Sequence, residues 1–174
     1  MSRVNLNFSM QRQEQTQWCW SAVATSVSHF FDPASKWRQC VLVNEELGQS
    51  NCCQNGSSTE CNQPWYLDKA LKRTGNLSYI TAGTSTLQGL VDEISARRPF
   101  GARIGWSGGG GHFVILSGYE IGVSTGGGFP PRVSTSEWVL IDDPWYGESW
   151  SRYNDFAVRY QGSGAWTHSY FTRP

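Results

Sequence analysis

No stretch of the chain approaches the roughly 20 consecutive apolar residues of a membrane span, so no membrane-crossing helix is expected. Neither charge sign is in surplus, with 14 basic and 14 acidic side chains and no basic run. That leaves no electrostatic footprint for nucleic acid or an anionic membrane, and neither is expected as a partner. The N-terminus, MSRVNLNFSMQRQ, lacks the apolar block of a secretory signal. A soluble, unprocessed protein follows as the expectation; if it leaves its cell, it uses a route that does not read such a signal, or it is excised from a longer protein. Histidine is scarce, at three residues, and the five cysteines are an odd number.

The 174 residues suit one domain, 1–174, made of a helical half (1–99) and a β half (100–174). Nine tryptophans, eight phenylalanines and seven tyrosines exceed what a core of this size needs, and broad aromatic surfaces line clefts for peptides or sugars. In QEQTQWCWSAVATSVSHFF, the residues Trp20, Val23, Ala24, Val27 and Phe31 recur at helical spacing, which predicts a helix beginning near Cys19 with one buried face. A thiol in the first helical turn meets the positive end of the macrodipole and unpaired backbone N–H groups. Such surroundings suit a nucleophile.

Further helices are expected from Trp37 to a stop at Gly48, from a cap at Asn62 to a stop at Gly75, and from a cap at Thr86 to Pro99. From Phe100 onward, FGARIGW, HFVILSGY, EWVLID and DFAVRY read as strands, with Ser107 to Gly111 and Ser124 to Pro131 as loops. Helices followed by strands make an α+β fold.

Cys40, Cys52, Cys53 and Cys61 cluster in the helical half, leaving Cys19 over. Adjacent residues fit disulfide geometry poorly, so a Cys52–Cys53 bridge is disfavoured. Two pairings remain, Cys40–Cys52 with Cys53–Cys61 or Cys40–Cys53 with Cys52–Cys61, and free buried thiols are the alternative to both. Zinc would need paired C-x-x-C knuckles that are missing, and no metal or cofactor is expected. Disulfides imply an oxidising compartment, which stands in tension with the missing secretory signal.

A nucleophilic cysteine needs a base. His29 lies ten residues along the Cys19 helix, about 15 Å away at 1.5 Å per residue. His168 sits among strand-formers in AWTHSYF. His112 opens HFVILSGY behind the glycines 108–111, where it can face a cleft. The group that orients its imidazole is sought at Asp142 or Asp143, which end WVLID ahead of Pro144.

These residues, in the order glutamine, cysteine, histidine, acid, resemble the papain-like cysteine peptidases. Gln13 stands six residues before Cys19, the spacing of that family's oxyanion-hole glutamine, and Trp20 follows the cysteine. His112 leads into a β-branched strand ending in Gly118-Tyr119. In VLIDDPWYG, alignment of Trp145 with the family's tryptophan puts Asp143 where papain has asparagine. The DP pair is similar to the compact bacterial branches, the double-glycine leader peptidases and secreted effector proteases. The resemblance implies a papain-like fold with its cleft between the halves, catalytic Cys19, His112, Asp143 and Gln13, and Trp145 shielding the His–Asp contact. Gln17 is the rival to Gln13.

The function implied is a cysteine endopeptidase acting through an acyl-enzyme, of the effector or toxin type, on a protein or peptide substrate. A protein inhibitor in the producing cell and a monomeric state go with it. The alternatives are a leader peptidase cutting after small residues, acyl transfer or deamidation on the same fold, and a non-catalytic peptide- or sugar-binding module.

Overall fold

Helix α1 (Cys19–Phe31) is buried from Cys19 through Ser28, so its first ten residues are enclosed on all sides rather than on one face. Its hydroxyls make that burial tolerable by finding acceptors: Thr25 donates to Ser21 O at 2.7 Å, Ser26 to Ala22 O at 2.6 Å, and Ser21 to Gln39 O at 2.9 Å. The computed structural model describes residues 2–174. Around α1 stand α2 (Gln39–Leu47) and α3 (Leu67–Thr74), each stopped by a left-handed glycine, Gly48 at φ 65° and Gly75 at φ 87°. Helix α4 (Leu87–Ser95) begins at Thr86, whose hydroxyl accepts from Gly89 N.

The sheet is antiparallel throughout, in the order β2 (Leu77–Ala82), β7 (Gly164–Thr172), β3 (Phe100–Trp106), β4 (Gly111–Gly126), β5 (Arg132–Asp143), β6 (Gly147–Arg152), with β1 (Ser2–Asn5) also on β4. One face packs Phe113, Ile115 and Tyr170 against α1, α2 and α3. The other packs Val114, Leu116 and Val139 against α4 and against Phe156 of the short helix α5 (Tyr153–Arg159). This is the mixed helix and antiparallel-sheet arrangement expected from the sequence. The alternation along β4 makes the two cores, since successive residues point to opposite faces.

Several expectations differ from what is observed. DFAVRY is not a strand: its residues up to Arg159 belong to α5, because Phe156 alone turns inward while Val158 is 69% exposed. The first half contributes the strands β1 and β2 to the sheet. Asn62 does not cap α3, whose N-cap is Tyr66; its side chain is engaged with Thr16 and Gln17. Ser124 to Gly126 extend β4, so the β4–β5 connection is confined to residues 127–131.

The disulfides are Cys40–Cys53 and Cys52–Cys61, the second of the two pairings left open by the sequence, and Cys19 is free. Both bridges fix the loop between α2 and α3. That loop carries α1: Trp18 Nε1 donates to Cys61 O at 2.8 Å and Trp20 Nε1 to Gln63 O at 3.0 Å.

Candidate active site

Cys19 and His112 come from opposite sides of one cleft. Cys19 is the first residue of α1, behind the N-cap Trp18, which offers no side-chain cap, so the N–H groups of the first turn are left free of one. His112 is the second residue of β4. Between them lies a cleft of ≈ 310 Å³, lined by Gln13, Cys19 and His112 together with Trp106, Trp145 and Tyr146. Both residues are nearly buried, at 8% exposure each.

The imidazole is anchored by Asp143. Its Nε2 lies 2.9 Å from Asp143 Oδ1, which leaves the other ring nitrogen for the cleft it lines with Cys19. Burial works against the charged ring, but the hydrogen bonds and charges of Asp143 and Cys19 outweigh it and raise His112 from 6.5 to about 9. Asp143 responds in the opposite direction. Burial alone would push its carboxyl up; His112 and the N–H groups of Trp145 (2.6 Å) and Tyr146 (2.9 Å) win, and hold it below the usual carboxylate range. Its remaining oxygen, Oδ2, accepts the phenol of Tyr160 at 2.8 Å.

Asp142 points to the other side of the strand. Its carboxylate accepts from Ser117, and burial, with Glu148 nearby, raises it to about 6 despite that bond. Of the two acids, the imidazole meets Asp143. His29 is bonded through Nε2 to Trp37 O at 2.9 Å, and His168 through Nδ1 to Thr167 Oγ1 at 3.0 Å; neither lines the cleft of Cys19.

Gln13 reaches the cleft, and its backbone N–H donates to Pro144 O at 3.0 Å, tying its loop to the turn after Asp143. Its side-chain amide donates to Gln15 O (2.8 Å) and Thr16 O (3.0 Å), and its buried Oε1 has no partner among the described residues. Gln17 also lines the cleft, with its backbone N–H on Asn62 Oδ1 at 2.9 Å. Trp145 is 43% exposed, so it does not pack in the core; its backbone N–H donates to Asp143.

Two residues of the site were not anticipated. Trp106 lies nearly parallel to His112, with ring centroids 6.2 Å apart, and Tyr160 donates to Asp143. Trp106 closes FGARIGW and Tyr160 closes DFAVRY, and only the fold brings these segment ends beside the histidine. Gly111 also matters, because a Cβ there would stand 2.6 Å from Arg103 Nη2. Arg103 in turn lines a second groove of ≈ 770 Å³ with Trp65, Tyr66, Phe113 and Tyr170.

Among the described residues no helix is long and apolar enough to cross a membrane. A search of curated proteins found no match. Among solved structures, the chain is similar to a double glycine motif protease from an AMS/PCAT transporter, crystallised in complex with the leader peptide. The two are 18% identical, with a TM-score of 0.51 over 100% of this chain and 97% of that one, a likeness of fold. The signature of the family described as papain-like cysteine protease AvrRpt2 matches residues 1–160. The chain belongs to that family and is a papain-like cysteine protease.

Proposed function

We propose that the chain is an endopeptidase of the effector type, delivered into another cell to cut a defined protein there, and that Cys19, His112, Asp143 and Gln13 do its chemistry. One observation carries the assignment: His112 is bonded to Asp143 and lines a single cleft with Cys19 and Gln13. His112 takes the proton of Cys19, whose sulfur attacks the peptide carbonyl. The oxygen that becomes negative is met by the backbone N–H of Cys19 and by the amide of Gln13, which turns one N–H from the carbonyl of Gln15 or Thr16 toward it. His112 passes its proton to the leaving amine. It then draws a proton from water, which releases the acid product and restores the thiol. Asp143 holds the imidazole in register and stabilises its charged form.

The effector role is supported by membership in the AvrRpt2 family and by the DP pair shared with effector proteases. Two disulfides suit a chain that passes through an oxidising environment. Such a protein requires a neutralising protein inhibitor in its producing cell, docking over the cleft near Cys19. A second reading, trimming of a precursor's leader, is favoured by the fold match to a protease bound to a leader peptide. On this second reading the walls Trp106, Trp145 and Tyr146 narrow the cleft for small residues at the cleavage point.

A peptide-library digest read by mass spectrometry, with Cys19→Ala as control, tests the assignment. Defined cuts made only by the wild type are expected, with the ≈ 770 Å³ aromatic groove imposing a preference on the flanking residues. Absence of any cut, together with iodoacetamide labelling that shows no preference for Cys19, would sink it.

A further inference from the structure

Asp143 is held by more donors than an orienting acid needs. Its Oδ1 accepts from His112 and from the backbone of Trp145 and Tyr146, all on one side. Turning the carboxylate about its Cβ–Cγ axis moves both oxygens, so a bond to Oδ2 opposes that turning from the far side of the axis. Oδ2 accepts from Tyr160 O–H at 2.8 Å.

Tyr160 is built to hold still. It stands at the end of α5, and its backbone N–H and C=O both pair with Gly164, at 2.8 Å in each direction. Only 5% of its surface is exposed. Its ring packs on Phe156 with centroids 5.4 Å apart and lies 6.5 Å from Trp106, at 22° to it. Trp106 continues the stack to His112, so phenol, indole and imidazole form one rigid wall behind the carboxylate.

We propose that Tyr160 is a positioning residue for the peptidase reaction: its hydroxyl fixes the plane of the Asp143 carboxylate so that Oδ1 stays aimed at His112 Nε2. The inference rests on the reading of Cys19, His112 and Asp143 as the reacting set. Tyr160→Phe keeps the ring contacts and removes one hydrogen bond to a charged group. It should lower kcat about tenfold with KM within about twofold. The limb of the pH profile set by His112 should move down by about half a unit, because a loosened carboxylate holds the imidazolium less well.

Cys19 alkylation by iodoacetamide separates the two levels of inference. Slow, unselective labelling of the wild type would sink the underlying reading. Fast wild-type labelling, with Tyr160→Phe unchanged in labelling, kcat and pH profile, would sink only the positioning role. In an Asp143→Ala background Tyr160→Phe should have no further effect on the labelling rate; an equal loss in both backgrounds, or a variant that fails to fold, would overturn the proposal by making the hydroxyl structural.

Discussion

The indole N–H of Trp18 donates to the backbone carbonyl of Cys61 at 2.8 Å, which joins the residue before the candidate nucleophile directly to a half-cystine. Asn62, next in the chain, bonds Thr16 and the backbone of Gln17. The loop stapled by Cys52–Cys61 is therefore one wall of the socket in which Cys19 sits. Replacement of Cys52 and Cys61 together by serine should cost about 3 kcal/mol, a Tm lower by roughly 6–12 °C, and should reduce kcat. Loss of the half-exposed Cys40–Cys53 bridge should destabilise the chain with less effect on kcat. Thermal melts and kinetics of the two double variants check this.

His112, as the proposed base, should set the alkaline side of activity. The reaction needs its charged form, so kcat/KM should fall as pH rises through about 9. Stability has the same sign: a folded pKa above the unfolded 6.5 contributes stability fully present below about 6.5 and lost as pH climbs through about 9. His112→Ala should remove both dependences, as read by pH-rate profiles and by melts across that interval.

Asp142 and Asp143 should separate cleanly. Asp143→Ala should lower kcat by about 10² or more, since the imidazole loses its partner. Asp142, raised from 3.8 to about 6, is a buried acid whose charge is disfavoured, so its penalty on the fold builds as pH rises from about 3.8 and is complete above about 6. Asp142→Asn should therefore raise stability near pH 8 by up to about 3 kcal/mol and leave it nearly unchanged near pH 4, with kcat/KM within about threefold of wild type. Denaturant titrations at the two pH values decide it.

Gln13→Ala should reduce kcat by about 10² to 10³ with a small change in KM, the signature of a donor that acts on the developing oxyanion. Gln17→Ala should change kcat by no more than a few fold. The reverse ranking would move the oxyanion role to Gln17.

Much of the site was legible in the sequence because its parts sit at segment starts and ends that local rules mark. Cys19 begins an apolar-periodic run, His112 follows a glycine run, and Asp143 precedes a proline. Helix stops at Gly48 and Gly75 follow from backbone sterics alone and are where they were expected. What could not be read depends on contacts between distant segments. The two disulfide pairings fit the spacing equally, Asn62 bonds a loop 46 residues away instead of capping a helix, and DFAVRY carries too few residues for periodicity to distinguish strand from helix. Strand β2, LSYITA, did carry a β-former signal, but it lay within a half read as helical. Tyr160 had no local mark at all.

Ile115 of β4 stands opposite Asp142 of β5, just before a bulge that interrupts the pairing between Leu116 and Gly118. Two consecutive acids on such a strand have the same chemistry and opposite destinations, so nothing but odd or even position selects between them. A slip of one residue in β5 would swing Asp142 to the imidazole and send Asp143 to Ser117. The acid proposed to partner His112 is thus chosen by parity, and the bulge that fixes the count decides which carboxylate that is.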